Sequence, residues 1–256
     1  MKKDIILCGV GGQGILSIAT IIGEAATKAG LYLKQAEVHG MSQRGGDVQS
    51  NLRLSTEPIW SDLIAEAGAD LIISMEPMEA MRYLAYLSKD GKIVTSSKPF
   101  VNIPNYPDEA ALQQELDTLP SVKLDIDTVA KDSGNPRGAN MVLLGMAAPI
   151  IGILSVESLR EAIATVFART GEQIVEANLK AFDAGVAYKR GTGFFQTPHA
   201  EIQNAARGDG HRRTRKLPSP HAGIFAPENA IDNQGLRKRV KKHSFLAEKR
   251  QDNITI

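Results

Sequence analysis

IILCGVGGQG, residues 5–14, is the stretch on which the fold turns. Ile5, Ile6, Leu7 and Val10 form a short apolar run, the pattern of a parallel strand covered on both faces. The run ends in glycines and the period then changes: Ile15, Ile18, Ile22, Ala25, Ala26 and Ala29 recur at three- and four-residue spacing, with Gly30 as a C-terminal stop. Strand, glycine turn and helix are expected in that order. Gly9, Gly11 and Gly14 satisfy G-x-G-x-x-G, in which glycines allow a tight turn and the amides of a helix N-terminus can cradle a phosphate. Glu37, at the end of the next strand, takes the ribose-binding position of such a dinucleotide site. The same glycines also permit close strand–helix packing with no ligand, so both readings stand at this point.

Further along, strand and helix signals alternate. Leu31 to Val38 reads as a strand, His39 to Gly46 as a polar Gly-rich loop, and Val48, Ser50, Leu52 and Leu54 as a strand. Leu71 to Ser74 is a buried strand, followed by a helix that uses Pro77 in its first turn, buries Met78, Met81 and Leu84, and ends at Gly91. Ile93 to Thr95 and Val122 to Ile126 are expected strands, with a surface helix over Asp108 to Leu119 between them. Asn140 to Ile153 is apolar nearly all round and reads as a buried helix, kinked or ended at Pro149. Two amphipathic helices follow, one carrying Leu159, Ile163, Val166 and Phe167, the other Val175, Leu179, Phe182 and Val186, with Gly171 between. The sum is an α/β fold: a three-layer, Rossmann-like, mostly parallel sheet with closing C-terminal helices.

The formal charge of +1 conceals two unlike segments. Residues 1–190 carry 18 basic and 23 acidic side chains, whereas residues 191–256 carry 12 and 6, with four of the five histidines. We read 1–190 as the folded domain and 191–256 as a basic extension lacking a periodic apolar pattern. Its clusters, Arg212 to Lys216 and Arg237 to Lys242, suit an acidic surface or nucleic acid, but a solvated extension is the simpler reading and nucleic-acid binding is not expected. Gly208-Asp209-Gly210 with Asn233 imitates a magnesium–thiamine diphosphate motif; no apolar strand or periodic helix flanks it to hold the ligands, so no metal site is assigned. The lone cysteine, Cys8, excludes an internal disulfide and a cysteine-ligated iron–sulfur cluster. The N-terminal apolar run is too short for a signal or membrane segment, so a cytoplasmic protein is expected.

The loop EVHGMSQRGG, residues 37–46, places His39, Gln43 and Arg44 among glycines that leave room for close approach, and Arg44 can present its fork to a carboxylate, phosphate or carbonyl. If neighbouring strands are parallel, this loop faces the Gly9 to Gly14 turn across the crevice at their carboxyl ends. A scaffold role, with Arg44 paired to Glu37 or a helix end, is the alternative. CGVGGQG at 8–14 and EVHGMSQRGGDVQSNLR at 37–53, with Asp70 to Pro77, Asn140 to Gly145 and Asn178 to Phe182, strongly resemble the gamma-type domain of the 2-oxoacid:ferredoxin oxidoreductases over residues 3–189. The wording of His39 to Gly46 resembles the indolepyruvate branch more than the pyruvate branch. The resemblance implies a non-cluster subunit of a hetero-oligomer, inactive alone. A larger alpha partner would hold thiamine diphosphate, magnesium and the iron–sulfur clusters, with coenzyme A as co-substrate and ferredoxin as acceptor. It also implies that Gly11, Gly12, Gln13, Gly14, His39, Gln43, Arg44, Gly45 and Gly46 form a loop group that contacts substrate, coenzyme A or the partner, with no certain catalytic residue in this chain. The 191–256 extension has no counterpart in that resemblance.

Overall fold

Ile5, Ile6, Leu7 and Cys8 are all fully buried in β1 (Lys2–Val10), as a strand covered on both faces requires. A computed structural model describes residues 1–39, 45–101 and 103–188. Around β1 it builds a six-stranded sheet from β2 (Tyr32–His39), β3 (Asp47–Ser55), β4 (Ala69–Ser74), β5 (Leu87–Ser96) and β6 (Ser121–Leu124), in the order β2-β3-β1-β4-β5-β6. The pairs β1–β4, β4–β5 and β5–β6 are parallel; β3 runs antiparallel to both β1 and β2. Five strands thus share one direction, and β3 is the exception.

Helices cover both faces. Odd-numbered β1 residues Ile5 and Leu7, with Leu52, Leu54, Leu71, Ile73 and Val94, pack against α1 (Ile15–Lys28), α4 (Ile126–Asp132), α5 (Ala139–Ile151), α6 (Val156–Phe167) and α7 (Glu172–Val186). Ile6, Cys8, Ile72 and Ile93 face the other way, toward α2 (Pro77–Arg82) and Ile64, and α3 (Glu109–Asp117) closes that side through Leu112 and Leu116. Ala29 caps α1 and Gly30 follows at φ 69°, the left-handed stop its position suggested. Among the described residues no helix is long and apolar enough to cross a membrane.

Three local expectations are corrected. The helix after Pro77 ends at Arg82; Leu84–Tyr86 is a short 3-10 turn, and Gly91 lies inside β5, where a Cβ would meet Ala69 O at 2.7 Å. The sixth strand stops at Leu124, because the Asp125 carboxylate accepts the Thr128 N–H and starts α4 at Ile126. In α7 the buried stripe is Asn178, Ala181, Phe182 and Gly185; of the expected Val175, Leu179, Phe182 and Val186 only Phe182 is fully buried, with Leu179 and Val186 packed at the margin of the core. Small residues win there because α5 and α7 nearly touch: a Cβ on Gly145 would sit 2.1 Å from Phe182 O, and one on Gly185 2.1 Å from Val142 O. Pro149 falls in the last turn of α5, which Gly152 terminates at φ 69°.

Candidate functional site at the carboxyl end of the sheet

The connection from β1 passes to one side through α1, and the connection from β4 passes to the other side through α2, so the carboxyl ends of β1 and β4 flank a topological switch point. The glycine turn sits there. Gly12 and Gly14 adopt φ of 99° and 85°, conformations open to glycine at no steric cost. Gln13 folds back over its own turn: its Oε1 accepts the Val10 N–H at 2.7 Å while its backbone N–H donates to Val10 O at 3.1 Å. The amide oxygen of Gln13, a half-buried residue, thus holds its own turn. Gly14 caps α1 without a side-chain bond, and no acidic residue lies in the first turn, so the positive end of the helix dipole is left uncompensated.

The hairpin loop reaches the turn by a route the sequence did not suggest. β2 is not a parallel neighbour of β1; β3 intervenes, and its antiparallel ladder with β1 runs to Val10↔Asp47. The ladder is prolonged by the Gly11 N–H donating to Gly46 O at 2.8 Å and the Gly45 N–H to Gly11 O at 3.5 Å. Gly11, Gly45 and Gly46 are thus brought together, with Gly12, Gln13 and Gly14 directly following. His39 closes β2 opposite Val48. Gln43 and Arg44 lie outside the described residues, as does the side chain of His39.

This topology also corrects the dinucleotide reading. Glu37 pairs with Ser50 and Ser50 with Leu7, so a whole strand separates Glu37 from β1, and it is exposed at the sheet edge. Three amides of the turn, those of Val10, Gly11 and Gln13, are donated to protein acceptors.

Two features around the turn have no clear sequence signature. Glu76, two residues beyond β4, is fully buried; its carboxylate accepts the Glu79 N–H at 2.8 Å, the Phe100 N–H at 3.4 Å and the Tyr106 hydroxyl. Burial pushes its carboxyl above the usual range, against those three donors. On the other side, a cleft of about 370 Å³ opens among Ser17, Asn135, Arg137, Asn140, Phe167 and Asn178. Asn135 donates to Asn178 at 3.0 Å, and Asn140 donates to Gly14 O at 3.2 Å. Leu16 in the first turn of α1, Val38 near the end of β2, and Phe100 and Val101 beyond the end of β5 are exposed.

Cys8 lies in the core behind the turn, its Sγ 3.7 Å from Glu79 O, with burial pushing the thiol up. A single, sequestered, protonated thiol does not fit an iron–sulfur cluster.

Residues 4–188 match the family described as pyruvate ferredoxin/flavodoxin oxidoreductase. The chain belongs to that family. Within the pyruvate ferredoxin/flavodoxin oxidoreductases it is 36% identical over 197 residues to the indolepyruvate oxidoreductase subunit IorB of Pyrococcus horikoshii, covering 73% of this chain and 96% of the relative. The 2-oxoglutarate synthase subunit KorC of Methanothermobacter marburgensis is 28% identical over 188 residues, covering 72% and 95%. Among solved structures, the gamma subunit of the keto/oxoacid ferredoxin oxidoreductase of Geobacter sulfurreducens superposes with a TM-score of 0.53 at 28% identity, over 72% of this chain and 95% of that one. IorB subunits from four archaea share 33–36% identity with the chain, against 28% for KorC, in keeping with the indolepyruvate wording of the His39 to Gly46 loop.

Proposed function

We propose that this chain is the non-cluster subunit of an indolepyruvate (arylpyruvate):ferredoxin oxidoreductase, working with a larger subunit. Together they would convert an arylpyruvate and coenzyme A into an aryl-acetyl-CoA and carbon dioxide, passing two electrons to ferredoxin. The observation that supports the reading is the Gly11–Gly46 pair, which brings Gly45 and Gly46, the last residues of the His39 to Gly46 motif, against the glycine turn at the switch point. Thiamine diphosphate supplies the electron sink in such chemistry and iron–sulfur clusters carry the electrons away. With one cysteine, buried in the core, this chain offers no cluster ligands, and among its described residues no three His, Cys, Asp or Glu side chains converge as a metal site. Those groups belong to the partner in this reading. The loop group, Gly11 to Gly14 with His39 and Gln43 to Gly46, then orients coenzyme A or substrate and excludes water at the junction of the two chains. The functional unit is residues 1–190.

Co-expression with the larger subunit tests this. Indolepyruvate- and coenzyme A-dependent reduction of ferredoxin is expected from the complex and not from the isolated chain; turnover by the isolated chain overturns the reading. Arg44→Ala is expected to weaken assembly or turnover, and if both persist unchanged the loop has been wrongly assigned. Truncation after Arg190 should leave both intact. A faster reaction with 2-oxoglutarate would move the chain to another branch of the family. Micromolar NAD(H) binding by the lone chain, measured by calorimetry, would revive the nucleotide-binding reading.

A further inference from the structure

Asn140, the second residue of α5, joins two helix starts that lack side-chain caps. Its Nδ2 donates to Gly14 O at 3.2 Å, across 126 positions of sequence, while its Oδ1 accepts the Met141 N–H at 3.0 Å. Gly14 is the N-cap of α1 at φ 85°, and a Cβ there would meet Nδ2 at 2.6 Å. The glycine is therefore needed twice, for its left-handed backbone and for the space that lets the amide reach the carbonyl. α5 is buried along nearly its whole length, so its first turn is a rigid mount, whereas the glycine turn has few side chains of its own to hold it. Asn140 also lines the cleft beside Ser17 and Arg137, so one side chain is shared between the turn and the cavity next to it.

The geometry points to Asn140 as a positioning residue that fixes the glycine turn against α5 through its N–H donor to Gly14 O. The inference rests on the reading of that turn as part of the contact with substrate, coenzyme A or partner. A single hydrogen bond is worth about a five-fold shift in a local equilibrium.

Asn140→Asp separates this role from ordinary packing. An aspartate keeps an acceptor for Met141 N–H and places a negative charge on the α5 N-terminus, where it is favourable, yet its carboxylate has no donor for Gly14 O. The full-length variant is expected to melt at or above the wild-type temperature. Amide hydrogen exchange at Gly11 to Ser17 is nevertheless expected to quicken about five-fold. In the complex co-purified with the larger subunit, KM for coenzyme A or the 2-oxoacid should rise about five-fold with kcat within two-fold. Asn140→Ala should show the same exchange increase with a lower melting temperature. If Asn140→Asp melts normally and exchange at Gly11 to Ser17 is unchanged, the positioning role is overturned. Unchanged KM beside quickened exchange would leave the latch standing but overturn its link to the contact surface. Exchange reads the turn directly, so a complex without indolepyruvate turnover would count against the proposed function alone.

Discussion

Replacing Gly145 by alanine should be among the most damaging single-methyl additions to this fold, although it exchanges the poorest non-proline helix former for the best. The added Cβ would lie 2.1 Å from Phe182 O, 2.9 Å from Val186 N and 3.0 Å from Gly185 Cα. An unstrained carbon–oxygen contact needs roughly 3.3 Å, so α5 and α7 must part by about 1.2 Å. Backbone on both sides leaves no flexible side chain to yield. A gap of up to about 1 Å forfeits a quarter to a half of the dispersion well for each facing atom pair. Val142, Ala181 and Phe182, all fully buried at this crossing, would lose it together. Subtracting about 1 kcal/mol for the intrinsic preference of alanine, the net loss is about 3 kcal/mol, at the upper end of overpacking costs. For a domain of this size that is a fall of about 6–12 °C in Tm. Gly23→Ala is the internal control: it lies in α1, and its Cβ would meet Leu33 Cδ2 alone, at 3.3 Å, so a neutral or slightly stabilising outcome is expected. Thermal and urea unfolding of both variants decide the matter. If Gly145→Ala falls within about 0.5 kcal/mol of Gly23→Ala, the two helices are not as close as described and the reasoning fails.

Three further outcomes follow from buried polar groups. Because burial raises the Glu76 carboxyl, the native chain holds a proton that the unfolded chain releases near the ordinary value of 4.5; stability should therefore fall as pH rises through that window. Against Glu76→Gln, which does not titrate, the Tm difference should shift in favour of the variant between pH 4.5 and neutrality, and the opposite slope would contradict the assignment. Arg53 makes a two-pronged pair with the 2% exposed Asp4, at 2.9 and 3.1 Å, and donates to the carbonyls of Ser61 and Leu63. Arg53→Ala leaves only Lys2 beside that carboxylate, so a loss of about 3 kcal/mol is expected, with lower fluorescence anisotropy of the single tryptophan, Trp60, which that loop carries. Cys8 should resist a thiol reagent in the native chain and release one equivalent on unfolding, since it is buried and its thiol held protonated; rapid native labelling would mean that the β1–α2 contact opens freely.

Much of the fold was legible because its signals are local. The switch from the apolar run at Ile5 to the three- and four-residue spacing after Ile15 marks a strand and a helix whatever surrounds them, and Pro77 and Gly30 punctuate helices by their own backbone preferences. Failures arise where the deciding contact is distant. Gly91 looks like a helix stop, yet it is required by the approach of the Ala69 carbonyl from another strand. The α7 stripe is centred on Ala181 and Gly185 because α5 lies against it, which no periodicity within α7 reveals. Glu76 and Tyr106 are thirty positions apart and meet only once the loop after β5 folds back over β4.

The hairpin shows how a correct juxtaposition can follow from a wrong premise. Alternation along Val48 to Leu54 predicts a strand but carries no direction, since side chains alternate identically in parallel and antiparallel ladders. Parallel neighbours would have put the His39 to Gly46 loop beside the glycine turn across a crevice, with the turn amides free for a phosphate. An antiparallel β3 puts Gly45 and Gly46 beside the same turn, but spends the Gly11 N–H on Gly46 O and moves Glu37 to the sheet edge. The two arrangements differ in what can occupy the switch point. In the first a dinucleotide fits between strand ends; in the second Gly46 already takes the Gly11 N–H, and Leu16, Val38, Phe100 and Val101 are left exposed. Insertion of β3 thus takes Glu37 and the Gly11 amide out of a phosphate-binding arrangement, which is why the fold can resemble a nucleotide-binding sheet without the ribose-binding position such a site uses.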